Sequence, residues 1–184
     1  MKLNSILLEK HQIIHDFAVE NHRAANCKYA GYDYDLHLNA VVNVVKQYLY
    51  LLSEEDYLPV LASASLHDGI EDTNLSYNDI VVECNKYTDG KLVADIVYNV
   101  TNELGRNRKE RASKTYPKIA SCRLSTFVKL CDRISNFRFS YFIVDEKNMF
   151  QLYKKENPDF YKNLHNENHG FDDMWNELNK LAAY

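Results

Sequence analysis

The chain has 184 residues, of which 46% are hydrophobic and 26% are charged, and its formal net charge at pH 7 is −4. These values are typical of a soluble globular protein and exclude a disordered chain, and the length leaves no room for two ordinary domains. The negative charge argues against a protein that coats nucleic acid. We therefore expect a single domain over residues 1–184 that has no nucleic-acid partner.

The N-terminal segment, MKLNSILLEKHQII, contains a short apolar run that Glu9 and Lys10 interrupt. It therefore predicts neither a signal peptide nor a membrane span, and we expect no membrane partner. The four cysteines form no CxxC pair. A reducing, cytoplasmic setting is the expected location. Nothing in the sequence predicts an oligomeric state.

Only five glycines and three prolines interrupt the chain, and apolar residues recur with the period of a helix, which predicts an all-α fold, a single helical bundle. The first helix is predicted from about Ser5 to Arg23, and the second from about Asp35 to Leu52. Residues 53–56 (SEED) and 76–79 (SYND) resemble capping boxes, which predict the starts of two further helices.

A fifth helix is predicted from about Lys91 to Glu103, and the basic stretch from Gly105 to Arg111 is predicted to be a loop. Pro117 is predicted to begin a long helix. Two or three C-terminal helices follow, with interruptions near Pro158 and Gly170. Five histidines lie on mostly polar segments and are predicted to be exposed: His11, His15, His22, His165 and His169.

Residues 66–73, LHDGIEDT, bring one imidazole and three carboxylates together at the predicted end of a helix. On a helix, Glu71 lies one turn from both His67 and Asp68, and Asp72 lies one turn from Asp68. Such a cluster is costly to bury unless a cation balances its charge. The segment therefore predicts a metal site, and the alternative is a solvated acidic loop.

Two further candidate ligands lie on apolar helix faces. His37 shares a face with the valines four, seven and eight positions after it, and Asp132 continues a row of apolar residues at steps of four. The alternatives are a core histidine in the first case and an ion pair with Arg133 in the second. A divalent metal would satisfy all four candidate ligands together: His37, His67, Asp68 and Asp132.

The order His, then His-Asp, then Asp resembles the HD phosphohydrolase superfamily, and three segments resemble its RelA/SpoT hydrolase branch. Residues 66–73 (LHDGIEDT) resemble its HDxxED box, and residues 128–138 (VKLCDRISNFR) resemble its VKLADRLxNxR segment. Residues 32–37 (YDYDLH) resemble the PYxxH approach to the first metal-binding histidine. The resemblance extends from about Phe17 to Tyr153.

The resemblance implies an all-helical hydrolase with one Mn²⁺ that removes the 3′-pyrophosphate from the nucleotides ppGpp and pppGpp. Relatives in animals are stand-alone hydrolase domains of about this size. By matching positions, the resemblance implies that Glu71 and Asp72 orient or deprotonate the attacking water. The implied metal ligands are His37, His67, Asp68 and Asp132. The implied contacts with the nucleotide are Lys28, Tyr34, Arg108, Lys109, Asn136 and Tyr153.

The sequence differs from the branch in one short segment and at two single positions. Residues 26–31 read NCKYAG where relatives have a QxRKxG-like stretch, Leu38 replaces a proline, and Met149 replaces an arginine that some relatives have. A second hypothesis therefore keeps the site and changes the substrate to a nucleoside monophosphate, NADPH or a cyclic nucleotide. A third hypothesis is a nucleotide-binding protein without activity. The basic residues after Gly105 have a solvated charged loop as their alternative.

Overall fold

The computed structural model describes residues 3–143 and 147–184, with the exception of the Lys147 side chain. These residues form α-helices joined by turns and one small β-hairpin, so the predicted all-α fold is confirmed. The hairpin pairs β1 (Lys28–Tyr29) with β2 (Tyr32–Asp33) in antiparallel register. The helices are α1 (Ser5–Ala24), α2 (Asp35–Tyr48), α3 (Tyr57–Leu66), α4 (Gly69–Asp72), α5 (Tyr77–Cys84), α6 (Gly90–Val100), α7 (Arg108–Ala120), α8 (Arg123–Phe142), α9 (Lys147–Leu164) and α10 (Asp172–Ala183).

Helix α3 lies in the centre of the molecule, and all ten of its residues are buried. Its sequence, YLPVLASASL, contains no charged side chain, and a helix that is apolar on every side is stable only when other elements surround it. Helices α1, α2, α6 and α8 contact it. Because α3 ends at Leu66 inside the protein, the residues that follow it begin in a buried environment.

Helix α8 is the second central element, and it contacts α2, α3, α6, α7, α9 and α10. Its core side chains are fully buried at Phe127, Leu130, Ile134 and Phe137. Because helices surround α8 on several sides, some of its polar side chains are buried as well. Asp132 is one of them, with 7% of its surface exposed.

The two predicted capping boxes have different outcomes. Ser76 accepts a hydrogen bond from the backbone N–H of Asp79, whose carboxylate accepts one from the backbone N–H of Ser76, so this box is confirmed. The prediction at residues 53–56 is wrong, because the Ser53 side chain makes no capping hydrogen bond and a 3₁₀ turn at Glu54–Asp56 precedes α3. The second predicted helix ends at Tyr48, and another 3₁₀ turn, Leu49–Leu51, follows.

The prediction of a loop from Gly105 to Arg111 is wrong in its second half, because α7 begins at Arg108. The Asn107 side chain caps this helix by accepting a hydrogen bond from the backbone N–H of Glu110 at 2.9 Å. Pro117 lies inside α7 and begins no helix, and the long helix is α8. Pro158 likewise lies inside α9. The predicted break at Gly170 is confirmed, since its φ of 69° ends a 3₁₀ turn at Glu167–His169.

The predicted exposure of three histidines on α1 is wrong. His11, His15 and His22 are only 4%, 6% and 1% exposed. They share the inner face of α1 with Ile14 and Ala18, where α1 packs against the small side chains of α3. Contacts of His11 and His15 with the Ser65 hydroxyl, and of Nδ1 of His22 with the Ala18 carbonyl, lower the cost of this burial. His165 and His169 are half-buried.

None of the described helices combines the length and the apolar composition needed to cross a lipid bilayer. The four cysteines, Cys27, Cys84, Cys122 and Cys131, are free thiols. The assignment of residues 1–184 to a single domain stays a prediction.

Candidate metal centre

Three mutually packed helices bring the candidate ligands together. His37 lies in the first turn of α2, His67 and Asp68 follow the end of α3 directly, and Asp132 lies in the middle of α8. Helices α2, α3 and α8 all contact one another. His37 and His67 are each only 2% exposed. The four side chains therefore meet in the interior.

Three of these residues, His37, His67 and Asp132, each place one ligand atom within 4.8 Å of the others, a spacing that suits a single small cation. The Nε2 atoms of His37 and His67 are 3.1 Å apart. The Asp68 Oδ2 atom lies 2.9 Å from Nε2 of His67 and 3.4 Å from Nε2 of His37. The Asp132 Oδ1 atom lies 3.6 Å and 3.9 Å from the same two nitrogens. Neutral imidazole nitrogens and carboxylate oxygens together suit a divalent transition metal.

A backbone contact fixes the orientation of His67. Its Nδ1 atom lies 2.8 Å from the carbonyl oxygen of Ala64. Because a carbonyl oxygen can only accept, Nδ1 carries a proton. Nε2 is therefore the nitrogen that would offer its lone pair to a metal once the ring is neutral. Metal-binding histidines are commonly oriented by such a contact on the opposite ring nitrogen. His67 therefore fits the role of a ligand.

The charges of the cluster depend on one another. Burial by itself would lower the pKa of His67, but the carboxylates of Asp68 and Asp132 outweigh it and raise this pKa to about 9. Burial likewise opposes ionisation of the carboxyls, but His67 and His37 hold the pKa of Asp68 well below its usual range. Lys129 and the two histidines lower the pKa of Asp132 in the same way. The two carboxylates are thus anionic and need positive charge between them.

Asp132 is held by polar groups on its own helix and beyond it. Lys129 Nζ donates to Asp132 Oδ2 at 2.9 Å, and the Asn136 amide donates to Asp132 Oδ1. Tyr29 donates its hydroxyl proton to the Asn136 side-chain oxygen at 2.7 Å. The Tyr29 ring also stacks on His37, with ring centroids 4.6 Å apart. The hairpin that carries Tyr29 therefore covers one side of the cluster.

The turn of this hairpin explains how Tyr29 reaches the cluster. Ala30 and Gly31 both have positive φ angles, 50° and 85°. Two successive residues of this conformation are typical of the tight two-residue turns that join short antiparallel strands. The chain thus reverses directly after Tyr29. Lys28, the preceding residue, forms an exposed ion pair with Asp33 across the hairpin.

Tyr34 bridges two carboxylates at the edge of the cluster. Its hydroxyl lies 2.6 Å from Asp68 Oδ2 and 2.9 Å from Asp72 Oδ2. Burial and the two negative charges raise the pKa of Tyr34, so its O–H stays intact as a donor. Loss of hydration and the charge of Asp68 raise the pKa of Asp72. Asp72 thus lies at the exposed rim with an increased tendency to hold a proton.

Glu71 is held by a different neighbour. Its carboxylate accepts hydrogen bonds from the backbone N–H and the side-chain amide of Asn102, at 3.0 to 3.2 Å. Asn102 follows the end of α6, which packs against α4. The two acidic residues of the HDxxED segment are therefore oriented by separate contacts, Asp72 by Tyr34 and Glu71 by Asn102.

The remaining predicted nucleotide contacts lie in two places. Arg108 pairs with Glu156 and lies over the ring of Tyr153, with 5.6 Å between its Cζ atom and the ring centroid. Lys109, the next residue of α7, is exposed. Lys28 lines a cavity of about 50 Å³ on the other side, next to Tyr34. Asn136 contacts Asp132 and Tyr29 of the hairpin.

Sequence reasoning missed several contacts of this centre. His22 stacks on Tyr34 with ring centroids 4.5 Å apart and planes only 6° apart. A signal for His22 was present, because it follows Ile14 and Ala18 at steps of four along α1. Lys129 also had a local signal, because it lies three positions before Asp132 on α8. Tyr29 and Asn102 carried no such signal. Their contacts depend on how distant segments meet.

No protein-family model matches the chain, and no curated protein matches it in sequence. Among solved structures, the chain is similar to one described as a metazoan ortholog of SpoT that hydrolyzes ppGpp and plays a role in starvation responses. The likeness has a TM-score of 0.66 at 20% sequence identity and covers 98% of this chain and 96% of that chain. This chain therefore shares the helical fold of that ppGpp hydrolase over nearly its whole length.

Proposed function

We propose that this chain is a metal-dependent phosphohydrolase of the HD type that cleaves ppGpp to GDP and pyrophosphate. One observation carries the proposal: two imidazole nitrogens and two carboxylates meet in the interior beside the exposed carboxylate of Asp72. The fold shared with a ppGpp hydrolase and the resemblance of residues 66–73 and 128–138 support it.

We assign one divalent metal ion to the site formed by His37, His67, Asp68 and Asp132, and we propose that this ion is Mn²⁺. The ion would lower the pKa of a bound water and polarise a phosphoryl oxygen. The contact of Nδ1 of His67 with the Ala64 carbonyl would leave Nε2 to bind the ion. Lys129 and Asn136 hold the Asp132 carboxylate in place.

We assign Asp72 the role of general base. A carboxyl group with a raised pKa accepts a proton from water more readily and can later return it. The water attacks the phosphorus bonded to the ribose 3′-oxygen, the bond between these two atoms breaks, and the leaving oxygen takes up the proton. Tyr34 orients Asp72, and Glu71, held by Asn102, helps to position the water.

We assign the nucleotide contacts to residues on both sides of the centre. The Arg108 guanidinium suits phosphate oxygens because it offers several N–H groups in one plane. Lys109 is the second residue of the same helix and is exposed. Lys28 lies in the hairpin, Asn136 contacts Tyr29 of the same hairpin, and the ring of Tyr153 lies against the Arg108 guanidinium.

Incubation of the full-length chain with ppGpp and Mn²⁺ tests the proposal. We expect release of pyrophosphate and GDP, and a loss of about 100-fold or more in rate for Asp72→Asn, because removal of a general base typically costs this much. Asp95→Asn, at an exposed carboxylate on α6, is the matched control and should retain activity. A wild-type rate no higher than that of Asp72→Asn would contradict the proposal.

A second candidate keeps the site and changes the nucleotide to a nucleoside monophosphate, NADPH or a cyclic nucleotide. The hairpin favours it, because residues 26–31 differ from the basic stretch of the family and place the ring of Tyr29 on His37. A panel of these nucleotides under the same conditions decides between the two. Hydrolysis confined to ppGpp would exclude the second candidate.

A further inference from the structure

A cationic cavity of about 70 Å³ lies beside the candidate metal centre. Two of its lining residues touch that centre directly: Lys129 donates to Asp132, and Asn102 donates to Glu71. Among the described residues, the charged groups that line it are Arg108, Arg111, Lys129, Arg133 and Glu156. Four cations thus line, together with one carboxylate, a cavity that adjoins the candidate metal centre through Lys129 and Asn102.

Glu156 binds two of these cations at once. Arg108 donates to both of its carboxylate oxygens, at 2.5 and 3.2 Å, and Arg133 donates to Oε2 at 3.0 Å. Burial opposes ionisation of Glu156, but the two guanidinium groups hold its pKa below the usual range. Glu156 is therefore a fixed anion in the position that a phosphate oxygen could take between two guanidinium groups.

The two arginines are held with very different strength. The Arg133 side chain is 8% exposed and lies over the rings of both Tyr153 and Phe160, at 5.0 and 4.7 Å from their centroids. The Arg108 side chain is 46% exposed and begins α7. Because Arg108 is the more exposed of the two arginines, water can replace its contacts with Glu156 more readily than those of the buried Arg133, so Arg108 is the partner that can leave.

We propose that Glu156 is an internal competitor for phosphate: it occupies Arg108 in the free protein and must release it before a phosphate or pyrophosphate group of the ligand can bind there. The inference rests on the proposed function for the nature of the ligand. After hydrolysis Glu156 recaptures Arg108, which favours departure of the pyrophosphate product. Glu156 thus weakens ligand binding and limits inhibition by product.

Isothermal titration of inorganic pyrophosphate into the purified full-length chain tests this inference. If Arg108 spends about 90% of its time on Glu156, removal of the competing charge strengthens binding about tenfold. We therefore expect the Kd for pyrophosphate to fall about tenfold in Glu156→Gln, and pyrophosphate to inhibit hydrolysis at correspondingly lower concentration. Metal content is measured in each sample, because pyrophosphate also chelates divalent ions.

Glu177→Gln is the matched control. Glu177 is a similarly half-buried carboxylate that pairs with Arg138, and it lies on α10, outside the lining of this cavity. Its replacement should leave pyrophosphate binding unchanged. The gain in Glu156→Gln should also disappear when Arg108→Gln is added, because the released arginine is its source. An unchanged or weaker affinity in Glu156→Gln would overturn the inference.

Glu156→Asp covers the case in which Glu156→Gln does not fold. It keeps a negative charge for the buried Arg133 but shortens the reach towards Arg108, so we expect a smaller gain, about threefold. No gain would overturn the inference here as well. If the wild-type chain does not hydrolyse ppGpp, but Glu156→Gln still binds pyrophosphate more tightly than the wild type, only the proposed function is contradicted. If the wild-type chain hydrolyses ppGpp, but Glu156→Gln binds pyrophosphate no more tightly than the wild type, only this inference is contradicted.

Discussion

At the scale of single residues, the candidate centre depends on groups that orient other groups. Tyr34 has one O–H proton and lies within hydrogen-bond distance of two carboxylates, so it lowers the repulsion between Asp68 and Asp72. The stacked ring of His22 holds Tyr34 in this position. The spacing of the motif could predict Asp68 and Asp72 as a pair, but the shared proton donor comes from a segment more than thirty positions away.

Tyr34→Phe tests this arrangement. The Tyr34 hydroxyl is one of the groups that lower the pKa of Asp72, so its removal should raise that pKa further. A general base acts in its ionised form, and therefore the acid limb of the pH–rate profile should move to higher pH. We also expect a loss of about tenfold in kcat at neutral pH, typical of a lost hydrogen bond to a charged group.

The matched control for this experiment is Tyr77→Phe, which removes a similar tyrosine-to-aspartate hydrogen bond, to Asp95 on α6. Its pH–rate profile should coincide with that of the wild type. A Tyr34→Phe profile with an unmoved or lower acid limb would show that Tyr34 does not act on Asp72.

At the scale of elements, the contact between α1 and α3 contains polar groups that the sequence did not predict to be buried. Nε2 of His11 and Nδ1 of His15 lie 3.1 and 2.9 Å from the Ser65 hydroxyl. Burial and the charge of neighbouring His15 lower the pKa of His11 to about 4, and burial lowers that of His15. Both rings are neutral in the folded protein at neutral pH.

This contact predicts a loss of stability in weak acid. In the unfolded chain both histidines bind protons near pH 6.5, whereas in the folded protein they resist protonation. Stability is therefore full above pH 6.5 and falls as the pH decreases towards 4. His11 contributes a slope of about 1.4 kcal/mol per pH unit in this window. The lowered pKa of His15 adds to the loss in the same direction.

Urea unfolding between pH 7 and pH 4.5 measures this slope. We expect His11→Gln to show a shallower decrease of the free energy of unfolding than the wild type. His165→Gln, at a half-buried position outside the α1–α3 contact, should reproduce the wild-type slope. Equal slopes for His11→Gln and the wild type would contradict the prediction.

At the scale of the whole molecule, the candidate centre joins helices that are far apart in sequence. His37 is on α2, His67 follows α3, and Asp132 is on α8, and one ligand atom from each lies within 4.8 Å of the others. A bound ion would therefore add links between α2, α3 and α8. It would also replace the proton that His67 must otherwise carry between the carboxylates.

Metal binding should for this reason stabilise the folded chain. At a free Mn²⁺ concentration about 100 times the Kd, the gain is about 2.7 kcal/mol, which raises the Tm by about 5 to 10 °C for a chain of this size. Treatment with EDTA should reverse the gain. Asp132→Asn should abolish most of the response, while Asp95→Asn should keep it. An equal shift in Tm for Asp132→Asn and the wild type would exclude Asp132 as a ligand.

The sequence by itself determined the helical class, most helix positions and the grouping of His37, His67, Asp68 and Asp132. Helical periodicity and the motif spacing are local properties, and they place these residues on inward faces or at a helix end. Helix boundaries at Arg108 and around Pro117 were missed, because a side-chain cap and tertiary packing outweighed the local preferences of glycine and proline.

Only the tertiary structure decided which groups complete the centre. Tyr29 meets Asn136 across 107 positions, Asn102 meets Glu71 across 31, and Glu156 meets Arg108 across 48. No repeat or spacing in the chain relates these pairs, since their distances depend on how the helices pack. The candidate metal ligands could thus be predicted from local patterns, whereas their orientation and the pairing of Arg108 with Glu156 follow from packing alone.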